Sequence, residues 1–448
     1  MTKSVWSGIE TPMLARLKAF ADHLARSPLH LALLIGIVAE LIFVFRIGVP
    51  TKPFFDETHY VPAARALLAL DIPRNTEHPL VAKELIAAGI ALFGDDPWGW
   101  RLIPSLFGAA TVMGVFALLM LMVRNTRAAV LGSVLVVLNQ MLFIQARIAM
   151  LDVFLGAFIV WAMVVFLWAA NGTPKQVLWR WVLGSVLLGL AVGVKWAAIP
   201  YVAMAGLAFI FLRIRDTRRA KKKLFTALSS KNQPHWAGLG TVQGLLLMAV
   251  VSIPVYLATF APAFFYQVNP LTLSNLIPFQ FDMYAQQTQV LSPHTYQSEW
   301  YQWPLISRPI WYFYEPDPIQ HAGVLLVGNP LIMWGGVLAV VLCLIAWIDT
   351  KAIRPGAVAL MWIASVAIYI VIPKSLGFYY YYYLSSIFLC LALPMSFDLL
   401  DPQRKMGLGE WFAAASFLLF LYFYPIIAAV PLSDPQDFHK WMWFSTWL

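Results

Sequence analysis

The hydrophobic positions of this chain fall into about eleven long apolar stretches separated by shorter polar segments. A run of about twenty predominantly apolar residues is long enough to cross a bilayer as an α-helix, so each stretch predicts a membrane-spanning helix. The predicted spans are 29–48, 102–123, 127–144, 150–170, 178–194, 196–212, 241–262, 324–347, 355–373, 377–398 and 410–430. The expected fold class is therefore an all-α polytopic membrane protein.

Composition supports this fold class. The chain has 448 residues, of which 60% are hydrophobic and 12% are charged, whereas a soluble domain has about half apolar and a quarter charged residues. The first apolar stretch is long and has no small-residue cleavage site before Asp56, so it predicts a retained anchor rather than a signal peptide. Cys343 and Cys390 fall in predicted spans and imply no disulfide framework.

The net charge of +9 is distributed unevenly between the two sides of the predicted membrane. With the N-terminus in the cytoplasm, 20 of the 31 Lys and Arg residues lie in cytoplasmic segments, in agreement with the positive-inside rule. An odd number of spans then places the C-terminus outside. The basic run within 213–223 is best explained as a topological signal, with contact to anionic lipids as a secondary role. Nucleic acid is not an expected partner.

Two outer loops are long enough to carry chemistry. The first, 50–100, predicts two surface helices, Glu57–Leu70 and Leu80–Phe93, the second bounded by Pro79 and Gly94. The second loop is rich in Pro, Tyr, Trp and Gln without a sustained helical period, which predicts an irregular cap over a site. The expected division is a cytoplasmic segment 1–28, a catalytic membrane module 29–262, the capping loop 263–323, a four-helix membrane module 324–430 and an extracytoplasmic tail 431–448.

Charged residues at the outer side suggest a site. Asp56 and Glu57 directly follow the first span, where unpaired carboxylates are costly. Four cations stand at outward helix ends against the positive-inside trend: Arg101, Arg147, Lys195 and Lys374. Each of them alone is explained by snorkelling to lipid headgroups. Together with the carboxylates they predict a pocket for a phosphate at the outer leaflet.

The two carboxylates of the first loop are expected to have different tasks. Asp56 precedes a predicted helix and could act as its N-cap. Adjacent helical residues point about a hundred degrees apart, so we assign Asp56 as the base and Glu57 to an arginine or to the acceptor backbone. His78 has three interpretations: it binds a sugar hydroxyl, orients a carboxylate or ligates a metal with Glu77. The tyrosines of 379–383 predict an interfacial aromatic belt, with stacking on a sugar as an alternative.

These motifs, taken in order, resemble the protein O-mannosyltransferases, membrane glycosyltransferases of the GT-C class, in their bacterial form. The resemblance covers nearly the whole chain. The segments that carry it are Phe55–Tyr60, Glu77–Pro79 with Lys83, Arg101 within Trp100–Pro104, Arg147–Asp152, Val194–Trp196, Ser298–Leu305, Arg308–Pro309 and Phe378–Tyr383. The chain departs from the family at His78–Lys83, where the family commonly has His-Pro-Pro-Leu-Gly-Lys. The large extracytoplasmic domain of eukaryotic members is also missing.

The resemblance implies that mannose moves from a polyprenyl-phosphate carrier to Ser or Thr hydroxyls of exported proteins, with inversion at the anomeric carbon. It places Asp56 on the catalytic acidic position and Glu57 beside it. The residues expected to bind substrate are His78, Lys83, Arg101, Arg147, Asp152, Lys195, Trp303, Arg308 and Lys374. No metal and no cofactor is expected. The expected location is the bacterial inner membrane, with the site facing the periplasm or exterior. The expected partners are the lipid-linked sugar donor, membrane lipids and an exported protein acceptor that reaches the enzyme at the secretion translocon.

The chemistry is coherent without the family name. A polyprenyl phosphate leaves as a stable anion, so cations stabilise it and only the attacking alcohol needs a base. The nearest alternative is a sister enzyme that moves another lipid-linked sugar to lipid A or an envelope glycan, as aminoarabinose transferases do. The Trp- and Pro-rich segment 298–309 favours a protein acceptor. A secondary transporter is less favoured, because the chain lacks the repeat symmetry of such proteins.

Overall fold

Helices dominate the structure, a computed structural model that describes residues 27–316, 321–372, 374–434 and 436–448. The α-helices of these residues are α1 Pro28–Val44, α2 Glu57–Ala69, α3 Val81–Phe93, α4 Pro97–Val123, α5 Thr126–Val137, α6 Gln140–Gln145, α7 Leu151–Ala169, α8 Pro174–Val194, α9 Ile199–Arg219, α10 Thr226–Ser229, α11 Thr241–Ala258, α12 Leu276–Thr288, α13 Pro330–Thr350, α14 Ile353–Ala367, α15 Tyr383–Leu400 and α16 Leu408–Ile427. One antiparallel hairpin pairs β1 Ile310–Pro316 with β2 His321–Leu326. The all-α polytopic class is therefore confirmed, with this hairpin as an addition.

Every predicted span overlaps a helix. Within the described residues, nine helical segments are long and apolar enough to cross a membrane: Pro97–Val123, Leu151–Ala169, Pro174–Val194, Trp196–Arg219, Thr241–Phe265, Pro330–Thr350, Ile353–Ile370, Tyr379–Leu400 and Leu408–Ile427. The first and third predicted spans correspond to shorter apolar helices, Pro28–Val44 and Thr126–Val137. The total of eleven and the sides on which the two termini lie stay predictions.

Local sequence signals explain where the helices next to the site begin. Asp96 precedes α4 and accepts hydrogen bonds from the backbone N–H groups of Trp98 and Gly99, at 2.8 and 3.1 Å, which satisfies donors that a helix start leaves unpaired. Pro97 occupies the first helical position of α4, where a missing N–H costs nothing. In the first loop, α2 and α3 pack on each other, and α3 packs on α4. This packing holds the loop above the membrane helices.

The second loop is more ordered than the sequence predicts, and its role as a cap over the site stays a prediction. It contains α12 and the hairpin. The apolar residues Ile277 and Phe281 of α12 are exposed, at 52% and 70%, and only Met283 is buried. The apolar residues of α12 therefore do not form one buried face, and the sequence shows no helical period here. The hairpin begins before the predicted boundary at 323 and continues beyond it. The span predicted at 324–347 therefore begins as a strand and becomes helical at Pro330.

The tyrosine run is not an interfacial belt. Tyr379, Tyr382 and Tyr383 are all buried, and the segment Tyr379–Leu400 is the most buried of the candidate spans. Helix α15 packs against α13, α14 and α5, so its start lies inside the bundle and its aromatic rings face protein. Tyr380 and Tyr381 are partly buried, and Tyr381 lines a cavity.

Candidate active site

Asp56 stands at the N-cap position of α2, but its side chain makes no capping hydrogen bond. The carboxylate instead accepts a hydrogen bond from Tyr60, one helical turn further on. Asp56 is partly exposed, so the group is accessible although protein surrounds most of it. The capping interpretation is weakened, and the carboxylate is free for another task.

Backbone conformation and ring stacking orient the residue before this carboxylate. Phe55 has φ of +49°, a region that a bulky residue rarely adopts without support. Its ring stacks on Tyr312 of β1 with 3.8 Å between centroids and meets Tyr380 edge-on at 5.9 Å. The hydroxyl of Tyr312 accepts a hydrogen bond from Gln145 at 3.0 Å. The hairpin thereby supports the turn that presents Asp56.

A buried ion pair interacts electrostatically with Asp56. The Nζ atom of Lys195 lies 3.0 and 3.2 Å from the two carboxylate oxygens of Asp152. Lys195 follows directly on α8, and Asp152 lies in the first turn of α7. Burial alone would lower the pKa of Lys195, but Asp152, Tyr381 and Asp56 outweigh it and the pKa is raised. Lys195 is therefore held as a cation.

The pKa of Asp56 reflects these opposing influences. Burial raises it, while Lys195 and His59 lower it, Asp152 raises it and Tyr60 lowers it. The result is a pKa raised to about 6. A carboxyl group with a pKa near the working pH is suited to accept a proton, because it is ionised at rest and still basic enough to react.

A cavity of about 170 Å³ adjoins Lys195. Lys374 and Tyr381 line it together with Trp196, Tyr284 and other residues of the helix ends around it. Lys374 is exposed, and its Nζ lies 5.5 Å from the centre of the Tyr381 ring. Lys195 lies 5.1 Å from the same ring. We call this space the lysine cavity; its two cations can stabilise a phosphate.

Glu57 and Arg101 form a buried pair rather than lining a cavity. Both side chains are fully buried, and Arg101 donates to both oxygens of Glu57 at 2.8 Å. The remaining donors of Arg101 go to the backbone carbonyls of Ile47, Pro50 and Lys52. Glu57 also accepts from the N–H groups of Phe54 and Ala149.

All five N–H groups of the Arg101 guanidinium are thus occupied. These bonds fix the start of the first loop to α4, and the expected contact of Arg101 with a phosphate stays a prediction. Arg147 is similar: its guanidinium donates to the carbonyls of Phe43, Phe45 and Arg46. Both arginines therefore bind backbone carbonyl groups at and just after the end of α1.

His78 lines a second, larger cavity of about 460 Å³ between the two outer loops. Lys83 holds the backbone around His78 in place, because its Nζ donates to the carbonyl of His78 at 2.7 Å and to the carbonyl of Asn75. Burial and the nearby Lys195, Lys83 and Lys374 lower the pKa of His78 well below its usual value, so its imidazole is neutral. The pKa of Lys83 itself is lowered to about 7 by burial.

Two further predicted substrate ligands, Trp303 and Arg308, support the second loop. Trp303 is buried and donates to the hydroxyl of Ser298 at 3.0 Å; its ring packs edge-on against Tyr381, behind the lysine cavity. Arg308 donates to the carbonyl of Thr295 and to carbonyls of the C-terminal residues. These contacts stabilise the loop and provide no direct contact with either cavity.

Sequence reasoning gave no role to Tyr60 and Tyr312. Tyr60 lies four residues after Asp56, a spacing that places both on one helix face, so the signal was present. Tyr312 comes from β1, and no local pattern connects it to Asp56. For the metal interpretation of His78, the residues described by the structure contain no group of three or more His, Cys, Asp or Glu side chains able to hold a metal ion.

Two family models match the chain side by side. Dolichyl-phosphate-mannose-protein mannosyltransferase matches residues 93–267, and the C-terminal four-helix region of protein O-mannosyltransferase matches residues 272–447. Together they cover well over half of the sequence. The chain belongs to the protein O-mannosyltransferase family. It is therefore a glycosyltransferase, and the resemblance of its motifs to this family is confirmed.

Relatives of this family match along most of their own length. The polyprenol-phosphate-mannose–protein mannosyltransferase of Mycolicibacterium smegmatis is 25% identical, with 92% of each chain covered. That of Mycobacterium tuberculosis is 26% identical, with 88% of this chain and 86% of the relative covered. The chain thus has nearly the extent of these bacterial proteins.

Solved structures confirm the GT-C fold. The S. cerevisiae protein O-mannosyltransferase Pmt1–Pmt2 complex bound to the sugar donor gives a TM-score of 0.76 at 14% identity and covers 94% of this chain and 92% of that chain. ArnT from Cupriavidus metallidurans bound to undecaprenyl phosphate gives 0.56 at 18% identity, covering 91% of this chain and 67% of that chain. At these identities the likeness shows the fold and no residue roles.

Proposed function

We propose that this protein mannosyltransferase family member transfers mannose, with inversion, from a polyprenyl-phosphate carrier to Ser or Thr hydroxyls of exported proteins. The observation that carries the proposal is the placement of Asp56: an accessible carboxylate that caps nothing, next to Lys195 and with a pKa near 6. The names of the bacterial relatives support mannose, polyprenol phosphate and a protein acceptor. The ArnT structure supports a polyprenyl phosphate as the kind of carrier for this fold.

In the proposed reaction, the acceptor oxygen attacks the anomeric carbon while the bond from that carbon to the phosphate oxygen breaks. Asp56 takes the proton of the acceptor hydroxyl, and the electron pair leaves with the polyprenyl phosphate. Lys195 and Lys374 stabilise the phosphate, which therefore needs no proton from a carboxylic acid. Asp152 holds Lys195 at the edge of the cavity, and Tyr60 holds the Asp56 carboxylate.

Inversion requires the base and the leaving group to lie on opposite faces of the sugar. Asp56 and the lysine cavity satisfy this requirement when the sugar lies between them. Partial burial of the site limits attack by water. We propose that the site faces the periplasm or exterior of a bacterial inner membrane. Asp56 lies in the first outer loop, Lys195 and Lys374 lie at helix ends predicted to point outward, and the basic run within 213–223 is predicted on the cytoplasmic side.

The purified protein in liposomes tests this function. We expect transfer from polyprenyl-phosphate mannose to a Ser/Thr peptide, detected as a hexose mass increment, and no transfer from a nucleotide sugar without lipid donor. Transfer from a nucleotide sugar alone would contradict the proposal. Modification of lipid A with no modification of peptide would favour the sister activity on an envelope lipid.

A further inference from the structure

The basic segment between α9 and α11 has no task in the proposed reaction. The sequence explains it as a topological signal, for which positive charge alone is sufficient. The structure adds that the segment is ordered: α9 ends at Arg219, the short helix α10 follows, and α11 begins at Thr241. We call residues 218–231 the basic platform. It follows the end of α9 that is remote from the lysine cavity, since Ile199 at the other end lines that cavity.

Buried hydrogen bonds hold the basic platform in place. Arg213 is fully buried and donates to the carbonyl groups of Ser230 and His235, the second at 3.0 Å. It also donates to the hydroxyl of Thr241 at 3.2 Å. That hydroxyl in turn donates to the carbonyl of Ala227 in α10 at 2.6 Å. These bonds fix the backbone of α10 to the ends of α9 and α11, so the platform presents a defined surface.

The charge of the basic platform is not balanced by its own part of the chain. Asp216 is the only acidic residue between positions 171 and 240. It is buried and paired with Arg215 at 2.8 Å and with His235 at 2.6 Å, so it does not neutralise the surface. Six cations of the platform are exposed and form no salt bridge with any residue that the structure describes: Arg218, Arg219, Lys221, Lys222, Lys223 and Lys231.

Apolar side chains stand beside these cations. Leu224, Phe225 and Leu228 are 51%, 78% and 44% exposed, although they follow the end of the membrane-spanning segment Trp196–Arg219. Large apolar side chains are unfavourable in water, and a topological signal does not need them. Lys and Arg next to exposed Phe and Leu are typical of a segment that lies in the membrane interface.

We infer that the basic platform binds anionic phospholipids of the leaflet at this end of α9, with Leu224 and Phe225 inserted between the acyl chains. The sequence predicts this segment on the cytoplasmic side, and the cytoplasmic leaflet has a negative surface potential. The phosphate headgroups supply the anions that the segment lacks, and the acyl chains cover Phe225. A soluble polyanion would match the cations but would leave Phe225 in water. This lipid site does not depend on the sugar, carrier or acceptor of the proposed function.

The test uses the full chain in nanodiscs that contain phosphatidylcholine and phosphatidylglycerol in equal amounts. One lipid or the other has a photoreactive diazirine in its acyl chain, and crosslinked peptides are identified by mass spectrometry. In the wild-type protein, phosphatidylglycerol should label the platform at least about fivefold more than phosphatidylcholine, since one cation near an anionic surface contributes about 1 kcal/mol. The combined variant Lys221→Gln, Lys222→Gln and Lys223→Gln should lower this preference to less than about twofold, because three cations are removed.

The matched control combines Lys351→Gln, Arg354→Gln and Lys405→Gln. These cations are also exposed and lie in other predicted cytoplasmic segments, so the control removes the same charge and as much topological signal. It should keep the wild-type preference for phosphatidylglycerol. Thermal unfolding of both variants should match that of the wild-type protein, because the replaced side chains are exposed. An equal loss of preference in the control, or equal labelling by the two lipids in the wild-type protein, would overturn the inference.

Further measurements distinguish a lipid from a soluble anion. Excess inorganic phosphate at constant ionic strength should leave the labelling by phosphatidylglycerol unchanged, and displacement by phosphate would overturn the assignment to a lipid. Phe225→Ser should lower the labelling from the acyl chain at least about threefold, because burial of the Phe side chain is lost; unchanged labelling would overturn the insertion. In the wild-type protein, added NaCl should reduce the preference for phosphatidylglycerol, and a preference independent of salt would overturn the charge contact.

Discussion

Acidification removes the proton acceptor that we assign to Asp56, and the size of the effect follows from its surroundings. Burial is the largest influence on this carboxyl and raises its pKa to about 6 in spite of Lys195. At pH 7 about 90% of Asp56 is then ionised, and at pH 5 about 10%. Because only the ionised form accepts a proton, kcat/KM should fall about ninefold between pH 7 and pH 5.

The assay is transfer of labelled mannose from the lipid donor to a peptide in liposomes, between pH 4.5 and pH 8. The donor is a phosphate diester, which stays ionised over this range, so donor charge does not contribute. Thermal unfolding at each pH controls for loss of folded protein. A rate independent of pH down to 4.5, or an inflection near the ordinary aspartate value of about 3.9, would refute the reasoning.

Three substitutions test the other charged residues. Arg101→Met leaves Glu57 buried without its partner and should cost about 3–5 kcal/mol of unfolding free energy, measured by chemical denaturation in detergent; near-wild-type stability would show that the pair is dispensable. Lys195→Met should raise the donor KM and shift the acidic limb of the pH profile to higher pH, because Lys195 lowers the pKa of Asp56. An acidic limb at the wild-type pH would contradict an electrostatic interaction between Lys195 and Asp56. Lys374→Ala should raise the donor KM by at most about fivefold, as for an exposed pair of about 0.2–1 kcal/mol, and less at high salt. A salt-independent effect would contradict a simple charge contact.

Features set by neighbouring residues were predictable from the sequence. The helices that became α2 and α3 follow from local signals such as Pro79 and Gly94, and the observed bounds differ from the predicted ones by a residue at one end. The placement of Lys195 between two apolar runs likewise follows from the pattern. These signals need no knowledge of distant contacts.

Features set by distant contacts were not predictable. The carbonyl groups that accept from Arg101 belong to the segment after α1, about fifty positions earlier in the chain. No spacing argument therefore distinguishes an arginine that binds a phosphate from one that binds the backbone. The tyrosines of 379–383 are consecutive, and burial of Tyr379 and Tyr382 depends on which helices surround α15. The hairpin depends on cross-strand pairs such as Ile310 with Leu326, which a helical search does not detect.

The most direct test of the central claim is the turnover of Asp56→Asn. Asn caps a helix about as well as Asp, and Asp56 makes no capping bond, so folding and donor binding should be kept. The control is Asp96→Asn, which alters a side chain that does cap a helix, α4.

We predict that Asp56→Asn lowers kcat by about 10²- to 10⁴-fold, the usual contribution of a positioned base, while Asp96→Asn keeps nearly the full rate. A rate for Asp56→Asn close to that of the wild-type protein, with donor binding unchanged, would contradict the account.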